Sequence, residues 1–183
     1  MTVASTCSGR VVATTLPSPS EPLSVVVRLC HGQAAVVIAA GFADVATMLD
    51  RLSSAIGDAA RVVAPKFGDL TPVTAAVAAW SGGDLEALDA VVVEQPGGVF
   101  MQQVWNVMRT IPAGQVWTYG QVAAAASRPA AVRAVGQACA RNLVAPFVPC
   151  HRVLRRDGTL GGYYYGLGVK SALLAHEGAQ GVL

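Results

Sequence analysis

Pro149-Cys150-His151-Arg152-Val153 follows directly on an apolar run made of Leu143, Val144, Ala145, Phe147 and Val148. Such a run, closed by a proline, carries the thiol to the edge of a buried core. A cysteine attacks carbon only as its thiolate, and a neighbouring histidine is the commonest means of generating one near neutral pH. The Cys-His pair by itself would carry little weight, because cysteine is among the most buried residue types and is often inert. The chain on either side of it decides the reading.

Towards the N-terminus, Phe100, Val104, Trp105, Val107 and Met108 recur at helical spacing, and Ile111-Pro112-Ala113-Gly114 closes that helix. The stripe makes its aromatic residues core. Thr118-Tyr119-Gly120-Gln121 opens a short helix with Thr118 as its cap. Ser127-Arg128-Pro129-Ala130 forms a turn, and a second helix runs from about Ala131 to Arg141 with Val132, Val135 and Ala138 on one side. Two short helices across a tight turn have the outline of a helix-turn-helix. The second helix is small-sided (Ala131, Ala134, Gly136, Ala138), which suits either close approach to another surface or packing on a neighbouring helix. Arg133 is the one large polar side chain in its first half, and Cys139 reads as a small core residue.

Before Pro96-Gly97-Gly98 the pattern is different. Residues 9–16 and 23–40 are valine- and alanine-rich strands, the second stretch a hairpin turning near His31-Gly32-Gln33. Val45, Met48, Leu49, Leu52 and Ile56 mark a helix capped by Asp44 and stopped by Gly57. A further helix occupies residues 71–80, with Pro72 in its first turn, and Ala90 to Val93 is a short strand. The expected fold class is α+β. A small N-terminal α/β unit of sheet plus helices covers residues 1–95, and a mostly helical unit with a winged-helix-like helix-turn-helix covers residues 96–183.

Charge separates the same two halves. Residues 1–100 hold five basic and nine acidic side chains, and residues 101–183 hold eight and two, although the whole chain carries only +2. That one-sidedness favours a polyanion, nucleic acid, on the second half over a merely solvated face. Lysine is too scarce there for broad phosphate contact. The chain is 53% hydrophobic, yet every apolar run is interrupted well short of membrane-spanning length. No basic segment leads into an apolar stretch at the start. The expectation is a soluble, cytoplasmic protein with no membrane association, whose cysteines (Cys7, Cys30, Cys139, Cys150) are reduced. Cys7, Cys30 and His31 could begin a zinc site, but a fourth ligand is missing, so no metal is assigned.

The strings in the second half form a series: Phe100-Met101-Gln102-Gln103-Val104-Trp105, Ile111-Pro112-Ala113-Gly114, Thr118-Tyr119-Gly120, Arg133-Ala134-Val135-Gly136, Asn142, Pro149-Cys150-His151-Arg152-Val153, Gly161-Gly162-Tyr163 and Leu173-Leu174-Ala175-His176-Glu177-Gly178. In this order and spacing, residues 100–178 resemble the catalytic domain of the O6-alkylguanine-DNA alkyltransferases (methylated-DNA–protein-cysteine methyltransferases). The first half is similar to them only in size and mixed α/β character. The resemblance implies a single-turnover DNA repair enzyme without cofactor, in which Cys150 accepts the alkyl group in an in-line displacement. His151 would draw the thiol proton, through a water, while Glu177 holds and charges it. Asn142 would brace the active-site turn, and Tyr119 would donate to guanine N3 as the base leaves. The damaged nucleotide would be flipped out of a duplex, with Arg133 filling its place. The helix carrying Ala131, Ala134 and Gly136 would lie in the minor groove. Val153, Tyr163, Tyr164 and Tyr165 would border the base and alkyl pocket, with backbone groups around Cys150 and Val153 reading the guanine edge. The implied partner is double-stranded DNA containing O6-alkylguanine, bound by a monomer, with O4-alkylthymine left open as a substrate.

Three departures from the family pattern matter. Tyr165 stands where a glycine is expected, so its ring either narrows the pocket against benzyl-sized adducts or swings outward to stack on DNA. Leu143 replaces the usual proline after Asn142, which suggests a looser brace. Cys139 lies three residues before Asn142. The rival of another class is a non-enzymatic module that binds alkylated DNA and flags it; the presence of Cys150, His151 and Glu177 speaks against it. In a cysteine hydrolase the histidine comes from a distant part of the chain, and a transcription factor would leave the Cys-His-Glu set unexplained.

Overall fold

The computed structural model describes residues 9–30, 32, 34–57, 63 and 68–180. Strands β1 (Arg10–Leu16), β2 (Leu23–Leu29) and β3 (Val36–Gly41) form an antiparallel meander, and the short β4 (Val92–Val93) adds to β3 in parallel. In β2, Leu23 to Val27 are all buried without alternation, as expected of a strand covered on both faces. Helix α1 (Val45–Ile56) covers one face, packing Met48 and Leu52 against Val26, Ile38 and Ala39. Its ends follow the sequence: Asp44 accepts from the Thr47 N–H at 2.7 Å, and Gly57 takes the left-handed conformation (φ 75°) that stops it. On the other face, Val25, Val27 and Val37 join a larger core with Val77 and Trp80 of α2 (Thr71–Ser81).

Pro96-Gly97-Gly98 leads into α3 (Val99–Arg109), which buries Val104, Trp105 and Met108. Trp105 also donates its indole N–H to the Ala138 carbonyl at 2.9 Å. Phe100, expected in that core stripe, is only half-buried, with the Arg128 guanidinium 5.1 Å above its ring; it lies at the first turn, where the stripe reaches the surface. Thr118 caps α4 (Tyr119–Ala125) through a reciprocal box: its hydroxyl accepts from the Gln121 N–H while the Gln121 side chain accepts from its own. After a turn over residues 126–131 comes α5 (Val132–Ala140), packed on α3 and α4 through Val135 and Ala138. Val132, expected on that buried side, is 42% exposed. It and Arg133 occupy the first turn of α5, beyond the packed face.

A two-stranded parallel pair, β5 (Trp117–Thr118) with β6 (Val153–Leu154), and α6 (Leu167–His176) complete the second half. The main core takes residues from both sides of Pro96-Gly98, including Val25, Trp80, Val135 and Leu173. Two backbone and side-chain links cross the same line. The Ala40 N–H donates to the Leu143 carbonyl at 2.7 Å, and the His176 imidazole bonds the Trp80 carbonyl at 2.9 Å. Cys30 is disulfide-bonded, which corrects the expectation of wholly reduced cysteines: that expectation rested on compartment alone. Cys139 and Cys150 are free thiols. The zinc reading of Cys7 and His31, and the flanks of the Gly32 turn, lie outside the described residues. Among the described residues no helix is long and apolar enough to cross a membrane.

Candidate active site

The site is built on one turn of 3-10 helix, Cys150–Arg152, held between the apolar run and β6. The Cys150 N–H donates to the Val148 carbonyl at 2.9 Å and the Arg152 N–H to Pro149 at 3.0 Å. Beyond the turn, Val153 is anchored in β6 opposite Trp117. Cys150 is 6% exposed, and burial pushes its thiol pKa up, against the opposing pull of the Asn142 hydrogen bond and the Lys170 charge. The resting group is therefore the thiol.

Asn142 is buried, and all of its amide capacity is used. Nδ2 donates to the Val148 carbonyl at 2.8 Å and to the Cys150 sulfur at 3.1 Å. Oδ1 accepts from the Val144 N–H at 3.1 Å and from Gln95 Nε2 at 3.2 Å. The Leu143 N–H donates to Gln95 Oε1 at 2.7 Å. The looser brace expected from Leu143 is thus corrected: leucine brings an N–H that a proline lacks, and that N–H adds a bond.

Behind the thiol, Glu177 is buried between two partners. Its Oε1 lies 2.8 Å from His151 Nε2, and Arg152 forks onto both oxygens at 2.8 and 2.9 Å. Burial pushes the Glu177 carboxyl up, but His151 and Arg152 outweigh it and hold its pKa down at about 2. An ionised carboxylate only accepts, so His151 Nε2 carries hydrogen. His151 Nδ1, buried and without a partner among the described residues, keeps a lone pair. Desolvation lowers the His151 pKa more than Glu177 raises it, so the resting ring is a neutral base. Arg152 also donates to the Ile111 carbonyl at 2.5 Å, tying this charge pair to the end of α3.

In front of Cys150 opens a cavity of about 240 Å³, lined by Tyr119, Gly136, Cys139, Tyr163, Tyr164 and Tyr165 among others. Burial raises the Tyr119 pKa to about 12, so its phenol is a donor. Cys139, read as core, is half-buried and borders this cavity; its position one turn after Gly136 turns it to the same side. Tyr165 neither swings outward nor stands free. Its hydroxyl accepts from Arg51 at 2.6 Å and faces the Ala40 carbonyl at 3.3 Å, and its ring packs edge-on to Phe42. The β3 terminus makes room for it: a Cβ on Gly41 would fall 1.8 Å from the hydroxyl. The outward alternative is corrected because the first half supplies polar partners for the phenol. Tyr164 is the exposed ring, with the Arg51 guanidinium 3.8 Å over its face.

The structure brings Cys150, Asn142, Tyr119, Tyr163, Tyr164, Tyr165 and Gly136 to one cavity, with His151 and Glu177 behind it. Val153 does not line it: its N–H donates to the Cys150 carbonyl and its own carbonyl accepts from Lys170 at 2.6 Å. Ala131, just before α5, and Arg133 and Ala134 on it lie outside the cavity, with Arg133 exposed. A larger open groove of about 1000 Å³ runs between α1 and α5 past Arg51 and Arg141 but does not reach Cys150. Sequence reasoning missed four residues here: Arg152, Lys170, Gln95 and Arg51. Arg152 stood inside the quoted string. Gln95 and Arg51 bond residues far along the chain and leave no local signal, and Lys170 reaches back to Val153 and Leu160.

The family profile described as "6-O-methylguanine DNA methyltransferase, DNA binding domain" matches residues 99–179. The chain is 46% identical over 102 residues to a methylated-DNA–protein-cysteine methyltransferase of Salmonella typhimurium, covering 56% of this chain and 60% of that one. To the protein of the same name from Mycobacterium leprae it is 39% identical over 116 residues, covering 63% and 70%. The chain thus spans less than two thirds of the Salmonella relative's length. Among solved structures it is similar to Mycobacterium tuberculosis OGT in complex with DNA, with a TM-score of 0.68, 30% identity, and coverage of 91% of this chain and 92% of that one.

Proposed function

The chain belongs to the methylated-DNA–protein-cysteine methyltransferase family, and from that membership we propose that it repairs DNA by moving an alkyl group, methyl above all, from guanine O6 to Cys150. The observation that carries this reading is the buried set around the thiol: Asn142 on the sulfur, and His151, Glu177 and Arg152 in one ion-paired cluster behind it. His151 Nδ1 takes the thiol proton through a water, and the imidazolium so formed is balanced by Glu177. The sulfur displaces the O6 oxygen at the alkyl carbon. The C–O bond breaks, its electron pair passes to the purine, and Tyr119 protonates or hydrogen-bonds N3 so that guanine leaves neutral. The thioether does not hydrolyse back, so each molecule acts once and needs no cofactor.

O6 lies inside the base stack, so the nucleotide must be flipped into the cavity. Exposed Arg133, at the start of α5, fills the gap. Ala131, Ala134 and Gly136 let α4 and α5 act as a helix-turn-helix that enters the minor groove closely and reads little sequence. Residues 96–183 carry binding and chemistry on this reading, residues 1–95 support them, and the working form is a cytoplasmic monomer on duplex DNA. O4-alkylthymine fits the same displacement.

The test is the intact mass of the protein after incubation with a duplex holding one O6-methylguanine. A gain of one methyl on Cys150, absent in Cys150→Ser, is expected. Tight binding with no gain would replace this reading with a damage-flagging module.

A further inference from the structure

We propose that Gln95 is a positioning residue for the alkyl transfer: its one amide accepts the Leu143 N–H and fixes the Asn142 amide so that Nδ2 points at the Cys150 sulfur. The proposal rests on the alkyl-transfer reading of Cys150. Its geometry follows from two backbone groups that can only donate. The Leu143 N–H, 2.7 Å from Gln95, requires an oxygen there, which leaves Nε2 to face Asn142. The Val144 N–H, 3.1 Å from Asn142, likewise requires Oδ1, and Gln95 Nε2 reinforces it from the other side. With Oδ1 so held, the two Nδ2 hydrogens have one direction left, towards the Val148 carbonyl and the sulfur. An Asn142 amide turned over would set oxygen against sulfur and against a carbonyl.

Gln95 is suited to this by its own restraint. It is 6% exposed, and its backbone carbonyl accepts from Gln102 Nε2 at 2.7 Å, which pins it to the first turn of α3. It also resolves the departure at position 143. A buried backbone N–H without a partner is costly, and Gln95 Oε1 is the partner that makes leucine acceptable where the family pattern has proline. Gln95 touches no reacting atom; it acts through Asn142. A donor on the sulfur favours thiolate over thiol, so the orientation of one side-chain amide sets how readily Cys150 ionises.

The test uses the full chain without DNA, following carboxamidomethylation of Cys150 by iodoacetamide, by peptide mass, from neutral to alkaline pH. Q95M keeps the length and loses both bonds. It should move the midpoint of Cys150 alkylation to higher pH and slow the neutral-pH reaction about tenfold, the effect of one pH unit on thiolate fraction. Q95E still accepts from Leu143 but turns a second oxygen on Asn142. Relative to wild type it should lose rate across this range, where its carboxylate offers Asn142 no donor. If Q95M lowers only melting temperature and leaves the alkylation midpoint in place, Gln95 is merely structural and the proposal falls. Should Q95M fail to fold, a Q95E profile that coincides with wild type at every pH overturns it equally. Failure of wild type to take methyl from an O6-methylguanine duplex would remove the alkyl-transfer reading instead, and leaves the thiol comparison intact.

Discussion

At Glu177, one buried carboxylate bears on stability and, in the proposed mechanism, on chemistry. Its pKa, held near 2 against an ordinary 4.5, and the lowered pKa of His151 against 6.5 act in the same sense. As pH falls below those ordinary values the unfolded chain binds protons that the folded chain refuses, so stability is full above them and drains away towards acid. Urea midpoints measured from neutral to acid pH should show that fall, and E177Q should remove the carboxyl's part of it, below about pH 4.5. The same variant leaves Arg152 buried without its anion, at a cost of about 3 kcal/mol. Its methyl transfer should drop by roughly two orders of magnitude, because the imidazolium loses its counter-charge. Tyr165 is the second decisive residue. Pinned by Arg51, Ala40 and Phe42, its ring walls the cavity in front of Cys150. Tyr165→Gly should raise the reaction with O6-benzylguanine by about tenfold or more while sparing methyl transfer. An unchanged benzyl rate would show that the ring does not limit the pocket.

The elements show what one chain makes legible. Helix α1 was readable to the residue because Asp44 and Gly57 are local signals acting on their own backbone, and Thr118 marked α4 in the same way. The site string was readable because Cys150, His151 and the turn they form are contiguous. Gln95 and Arg51 were not, since each meets Asn142 across 47 and 91 residues, a closeness only the folded sheet creates. Val132 was misplaced for a related reason: three-residue spacing tells which side of α5 it shares with Val135, not where the helix emerges from its neighbours. In the proposed function that emergence is what lets α5 meet DNA. Its first turn holds Arg133 exposed ahead of a helix whose next turns border the cavity. Arg133→Ala should slow transfer from duplex DNA by about 10- to 100-fold, the equivalent of a few kcal/mol of unstacking left uncompensated. Its reaction with the free methylated base should be unchanged, and a parallel loss on the free base would mean that Arg133 acts on the cavity itself.

Across the whole molecule, the break at Pro96-Gly98 divides the chain by composition and charge but not by packing. Val25 and Trp80 share a core with Val135 and Leu173, the β3 end donates to Leu143, and Trp80 receives His176. The contacts that set the cavity cross the same line, since Arg51 holds both Tyr165 and the Asn142 carbonyl. Ala40, Phe42 and Arg51 therefore back the cavity from the first half, and a domain boundary drawn from sequence does not predict two independent folding units. Shared burial on this scale couples the halves in one transition. Calorimetry of the full chain should give a single peak whose calorimetric and van't Hoff enthalpies agree. Residues 96–183 expressed alone should lose that peak, because they would leave the core-facing sides of Val135 and Leu173 open to water. Two separable peaks, with the later half retaining Cys150 alkylation at the wild-type rate, would instead make the first half dispensable to the site.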